Sequence, residues 1–325
     1  MINISDSEIR IGRLGSIGLA IEDSPGTAAT TPDVYLPYVE NSLRGHHEPI
    51  EDISARTSRI MDSDSVLGRR WAEGDVQINC DVVNSGYLLK LATGNELLVT
   101  GTPNYHTFYT TVSGNTPLTA TLINSRGSTD VEQYNFAAID ELSLEVSDGL
   151  ATLNAAFQTQ YPTAGTAQTA TTTSGTVLAF KDYFIQFGNT LTVADAAATT
   201  PISEFSLTIS NNLEVIHRSG SPDVSVIRSK GLRVEGSYTL FFDSVTDRNA
   251  YYALNKRAMI VTFSGAANES LRIRIPQFRV NEADVSTGLD DFYTITADFV
   301  AEDEVDSGCR LADFRLGNGK SSVYG

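Results

Sequence analysis

Alternation of apolar and polar residues is the feature that most limits what this chain can become. In "EGDVQINCDVV", Glu73 to Val83, an extended backbone points Val76, Ile78, Cys80 and Val82 one way and Asp75, Gln77, Asn79 and Asp81 the other. That pattern predicts a strand with one face in a core and one in water. Nearly the same spelling returns 162 residues later as "EGSYTLFFDSV", Glu235 to Val245. There Tyr238, Leu240 and Phe242 alternate with Ser237, Thr239 and Phe241, and only Phe241 breaks the polar row.

Each of these strands runs into a short helical signal. After Asp81 come Asn84 or Ser85 as a cap, a stripe of Tyr87, Leu88, Leu91 and Ala92, and Gly94 as a stop. After Asp243 come Thr246 or Asp247 as a cap and a stripe through Ala250, Tyr251 and Leu254. Lys256 and Arg257 follow, where the helix dipole favours cations. The repeated unit is therefore strand, turn, short helix. Further strands are expected over Glu141 to Val146, Glu204 to Ile209, Ala258 to Phe263 and Leu271 to Ile275, the last ended by Pro276. A second echo, "TLNAAFQT" from Thr152 and "TITADFVA" from Thr294, lies at a spacing of 142. A third, "IDELSLEVSDGL" from Ile139 and "ISEFSLTISNNL" from Ile202, lies at only 63. Insertions between repeated halves account for the first two spacings; the third reads as two strands sharing one pattern.

A length of 325 residues is ample for two domains. Between the echoed halves, "PTAGTAQTATTTSGT" carries no charge and no aromatic side chain, so it cannot anchor a core. The expected division is a first domain over 1–161, a linker or mobile loop over 162–178, a second domain over 179–307 and a C-terminal arm over 308–325. Gly45 to Leu67 and the tail from Glu302 read as surface loops or arms. Cys80 reads as a packed thiol and Cys309 as a free tail thiol. The first residues lack the build of a signal peptide, and no run approaches the roughly 18 apolar residues of a membrane span.

Charge narrows the functions. Twenty-three Lys and Arg stand against 40 Asp and Glu, a net charge of −17, with no dense basic run. Affinity for nucleic acid comes largely from cations that neutralise phosphates, so a DNA-gripping role is not expected. His46, His47, Glu48, Glu51 and Asp52 form the only ligand-like cluster with histidine, and their spacing fits no compact zinc pattern. His106 and His217 read as isolated surface or core-edge residues. Glu302, Asp303, Glu304 and Asp306 lack the glycine and closing glutamate of an EF-hand loop. Gly12, Gly15 and Gly18 do not open a helix after a strand, as a dinucleotide site requires. No nucleophile elbow or phosphate-binding lysine loop occurs. The expectation is a protein that is not an enzyme and carries no metal or cofactor.

Four stretches carry a resemblance: "LAIEDSPGTAATTPDVYLPY" from Leu19, "GDVQINCDVVNSGYLLKLATG" from Gly74, "NNLEVIHRSGSPDVSVIRSKGLRVEGSYTLFFD" from Asn211 and "LRIRIPQFRV" from Leu271. In that order they resemble the major tail tube proteins of long-tailed (siphovirus-like) bacterial or archaeal viruses, in the form that fuses two tube folds. The resemblance implies a mainly β chain of two tandem β-sandwich or barrel-like folds, each with a short flanking α-helix. It implies rings, of three chains for the fused form, stacked into a hollow tail tube that passes viral DNA without binding it specifically. The implied partners are further copies of this chain, the tape measure protein and other tail proteins; the implied location is the virion tail, after assembly in the host cytoplasm. On that reading Asp75, Gln77, Asn79, Asp81, Ser237, Thr239 and Asp243 are expected to face the lumen. Ring stacking is expected to use Glu51, Asp52, Arg56, Arg59 and Asp62 in the first half and His217, Arg218, Asp223 and Arg228 in the second. A carbohydrate-binding or adhesion β-sandwich is the alternative, with a glycoside-cleaving enzyme third; the single tryptophan, Trp71, sits beside the echoed strand as a packing residue would.

Overall fold

The structure is a computed structural model. It describes residues 12–53, 64–110, 113–127, 129–173, 175–200, 202–241, 245, 248–249, 252–266, 268–286, 292–304, 309 and 311–325. The first half contributes β1 (Ser16–Ile21), β2 (Val34–Leu36), β3 (Tyr38–Asn41), β4 (Arg44–Asp52), β5 (Asp64–Asn79), α1 (Ser85–Thr93), β6 (Gly94–Val99), β7 (Asn104–Thr110), β8 (Ala120–Ser125), β9 (Val131–Val146), β10 (Thr152–Thr159) and β11 (Thr163–Ala164). The second contributes β12 (Tyr183–Gly188), α2 (Leu191–Ala196), β13 (Ile202–Ser210), β14 (Leu213–His217), β15 (Val224–Ser229), β16 (Arg233–Phe241), β17 (Arg257–Ser264), β18 (Ser270–Ser286), β19 (Thr294–Ala301) and β20 (Asp313–Asn318). The fold is mainly β, and every ladder described is antiparallel.

One layer crosses both halves in the order β5, β10, β9, β13, β16, β19, β18, with β3 and β4 on the far side of β5. The long strands β9 and β18 each bend out of it. The first part of β9 pairs with β8 and β11, and the first part of β18 pairs with β17 and β20. Their last parts pair with β10 and β19 in the shared layer. The bends let each half close a core between two layers, as apolar faces of sheets require. One cluster of buried side chains runs through both halves, from Ile17 and Val76 to Phe299 and Leu316.

The echoes share a register as well as a spelling. Gly74 lies opposite Phe157 and Gly236 opposite Phe299, so spacings of 162 and 142 meet in equivalent pairs. The pairing of β3 with β5 slips between Tyr38 and Glu40, and that of β13 with β16 slips between Ile202 and Glu204. Against β10 the bulge of β9 follows Ile139; against β19 the bulge of β18 follows Val280. Each half therefore has the same strand order: β1, β8, β9, β10, β5, β3 in the first and β12, β17, β18, β19, β16, β13 in the second. The strands of the third echo, β9 and β13, pair with each other and join the halves.

Several expectations change. Pro276 lies inside β18 and does not end it, because pairing with β20 stops at Arg274, pairing with β17 is interrupted by a register shift between Ile275 and Phe278, and pairing with β19 starts at Phe278, so little ladder bonding is lost where the missing N–H falls. Gly45 to Leu67 is no simple loop: its described parts are the rungs of the β4–β5 hairpin. The segment 162–178 is tied down by β11, by Val82 donating to the Thr176 carbonyl and by Asn84 donating to the Thr173 carbonyl. α1 ends at Gly94 in a left-handed conformation that glycine adopts without strain. Its start depends on Asp81, whose carboxylate accepts from the Val83 and Asn84 amides at 2.7 Å. Most of the second-half helical signal lies outside the described residues; the bonds from Asn249 to Val245 O and from Ala253 to Asn249 O have helical spacing.

The C-terminal arm differs most from a solvated tail. β20 lies between β18 of the second half and β7 of the first, with Phe314 and Leu316 buried. Cys309 is buried too, and burial pushes its thiol well above the ordinary range. Tyr324 is fully buried over Gly86 and edge-on to Tyr87, His106 and Phe108. His106 is likewise fully buried, not at a surface, and its ring nitrogens meet Glu96 at 2.6 Å and the Lys320 carbonyl at 2.9 Å. Burial pushes Glu96 up, but bonding to His106 and to the Tyr324 amide, with Lys90 nearby, holds it below its ordinary value.

Candidate functional site

The shared layer has one apolar and one polar face. Ile78, Leu153, Leu144, Leu207, Phe299 and Val280 stand on the buried side. On the other side Asn79, Thr152, Glu145, Ser206, Ser237, Asp298 and Glu282 form one row across seven strands and both halves. Glu40, Asp75, Glu141, Glu204, Glu235 and Asp284 lie on the same face. Burial first, and then the charges of Asp140, Glu235 and Asp75, push the carboxyl group of Glu141 above its ordinary range. Two cations at the margin are already engaged: Arg233 donates to Glu235 at 2.7 Å, and Arg279 pairs with Glu302 at 2.9 Å. The face is acidic, and its strand order repeats between the halves.

Of the residues expected on a polar lining, Asp75 is exposed, while Gln77, Asn79, Ser237 and Thr239 are half-buried on this face. Asp81 is a correction. It is only 2 % exposed, because its carboxylate is turned in to hold the start of α1. Asp243 lies outside the described residues. Glu141, Glu145, Asp298, Glu282 and Asp284 were not singled out by sequence reasoning, although the alternation in "ELSLEV" and "TITADFV" carried the signal for the first three.

A serine pins each copy of the echoed strand. The Asp75 amide donates to Ser42 Oγ at 2.8 Å, and the Ser237 amide donates to Ser206 Oγ at 3.1 Å. The preceding glycine makes room. A Cβ on Gly236 would lie 2.1 Å from the Ser206 carbonyl oxygen, and one on Gly74 2.6 Å from the Leu43 backbone.

Beyond the layer, the β4–β5 and β14–β15 hairpins occupy corresponding places. Glu51 and Arg218 are exposed, and Asp52, His217, Asp223 and Arg228 are half-buried; Arg56, Arg59 and Asp62 lie outside the described residues. The structure joins the second hairpin to the stem of the first. Asp223 forms a two-pronged pair with Arg70, which lowers the pKa of Asp223, and the Arg70 amide donates to the Pro222 carbonyl at 2.9 Å. Beside this pair Trp71 stacks on His46 at 5.6 Å and packs on Phe136, Ala138, Val224 and Ile227, so it is no open platform for a sugar. Ile50, Val66 and Leu67 on the first hairpin are more than half exposed.

Among the described residues, no three His, Cys, Asp or Glu side chains converge as metal ligands, and no helix is long and apolar enough to cross a membrane. In comparison with known proteins, a family model described as phage tail tube protein matches residues 12–301. No curated protein matches the chain.

Proposed function

We propose, from the premise that this chain belongs to the phage tail tube protein family, that its copies close into rings, that the rings stack into a tube, and that the acidic sheet face lines the channel for viral DNA. The family makes it a structural protein of the virion tail. The observation that carries the finer reading is the polar row running unbroken across both halves, from β5 to β18, over a continuous core. A sheet that ends in edges must pair, cover or blunt them, and pairing between copies turns the edges into an assembly force. A lining rich in carboxylates repels phosphates and gives them no cations with which to exchange counterions, so DNA slides through without being held.

Two similar halves in one chain imply three chains for a ring of six similar positions. The hairpins reach away from the layer and supply the contacts between rings, and the tape measure protein and other tail proteins meet the tube at its lumen and ends. Negative-stain microscopy with mass measurement of the purified protein tests the reading. Rings or tubes built from units of three chains are the expected result. A monomer that persists at high concentration overturns it.

A further inference from the structure

The joint between the halves is a template for the joint between chains. Inside the chain, the last part of β9 pairs with β13: Leu144 opposite Leu207, Ser143 opposite Thr208, Leu142 opposite Ile209 and Glu141 opposite Ser210. Each strand has a counterpart in the other half. Positions 282–285 of β18 stand to β19, past the same bulge, as 141–144 of β9 stand to β10. Ser42 to His46 stand to β5, past the same slip, as Ser206 to Ser210 stand to β16. Neither counterpart has a second strand beside it among the described residues.

Resting on the ring reading above, we infer that β18 of one chain pairs antiparallel with the Ser42 to His46 segment of the next, with Val285 opposite Leu43, Asp284 opposite Arg44, Ala283 opposite Gly45 and Glu282 opposite His46. Three observations beyond the repeat favour this register. Val285 is 39 % exposed where its counterpart Leu144 is 3 % exposed, so the apolar row stops one strand short of cover. The transposed register puts acidic Asp284 against basic Arg44, and Glu282 against His46, whose Nε2 accepts from Arg44 at 3.3 Å; all four lie at the surface or are half-buried. The internal joint has no such opposite pairs, so charge marks the joint that must find its partner by diffusion.

The third observation is a matched loss. In the internal joint Asp140 accepts from the Leu213 amide at 2.7 Å. At the place of Leu213 the first half has Pro49, which has no N–H, and at the place of Asp140 the second half has Asn281 in place of a carboxylate. The donor is lost together with the carboxylate that would meet it, while Asn281 keeps only a neutral amide oxygen. The joint is head-to-tail, because one edge of the chain receives what the other presents, and such contacts form rings when the rotation closes.

Cysteine cross-linking of the full chain tests the register. Mild oxidation of D284C/R44C should give covalent dimers and trimers. The out-of-register pair D284C/E40C should give about tenfold less, since a disulfide needs Cβ atoms within about 4.5 Å. Cys80 and Cys309 are buried and do not compete. The single reversals D284R and R44D should each abolish rings, and the double reversal should restore them. Rings that form without cross-linking between positions 44 and 284, or that survive the single reversals, overturn the register and leave the ring reading standing. Wild-type protein that forms no rings overturns both.

Discussion

At the scale of single residues, one glycine and one glutamate show how close the polar face is to its physical limits. Gly236 lies against the Ser206 carbonyl, so Gly236→Ala must move backbone rather than a side-chain tip. Overpacking of this kind costs about 1–3 kcal/mol, which urea unfolding should read as a lower midpoint. Glu141 behaves in the opposite sense. Its raised pKa means that the ionised form is disfavoured in the folded protein. The native glutamate therefore opposes folding above its folded pKa and ceases to do so once pH falls below its unfolded value. Glu141→Gln should raise the melting temperature at pH 7, and the gain should disappear in acid. The thiols give a simpler test. Burial pushes Cys80 to about 12, so it should not react with thiol reagents until the protein unfolds.

At the scale of elements, β20 shows how the C-terminal arm joins the halves. It pairs with β18 on one side and β7 on the other, and Tyr324 closes over α1. Tyr324→Ala removes a fully buried ring and should cost about 3–5 kcal/mol, with increased hydrogen exchange in β7 and β20 as its signature. The hairpins are a different case. The β14–β15 hairpin is packed through Val224 and Ile227, whereas the β4–β5 hairpin leaves Ile50, Val66 and Leu67 exposed. Exposed apolar patches of that kind suit contact with another copy. Deleting 52–63 should leave folded protein that makes rings but no long tubes, as microscopy would show. Tubes of normal length would refute a stacking role for this hairpin.

At the scale of the whole molecule, the decisive question is which side of the assembled sheet meets the channel. Asp75 is exposed on the acidic face, and its charge acts together with that of Glu235 on Glu141. Asp75→Cys in assembled tubes should react with a small maleimide and resist a maleimide carried on a protein too large for the channel. Equal labelling by both places the face on the outside. The core beneath this sheet is continuous across both halves, so they are expected to unfold together, in one calorimetric transition.

Much of this was legible in the residues. Alternation marked β5, β9, β13, β16 and the first part of β18, and an apolar run marked β17, because a half-buried strand repeats its environment every second residue and the spelling must follow. The echoes at 162 and 142 located the repeat, and Gly94 located the end of α1. What the residues could not show is which strand lies beside which. Asp81 continues the polar alternation perfectly and is nonetheless buried, because the backbone turns into α1 at that point. "DFRLGN" in the tail is too short to announce itself as β20, since its order comes from two edges built more than 30 residues earlier or more than 200. Periodicity is a local property written along the chain, and it determined the strands and their faces. Pairing is a long-range property, and only the tertiary structure decided that the two halves share one sheet, one core and one acidic face.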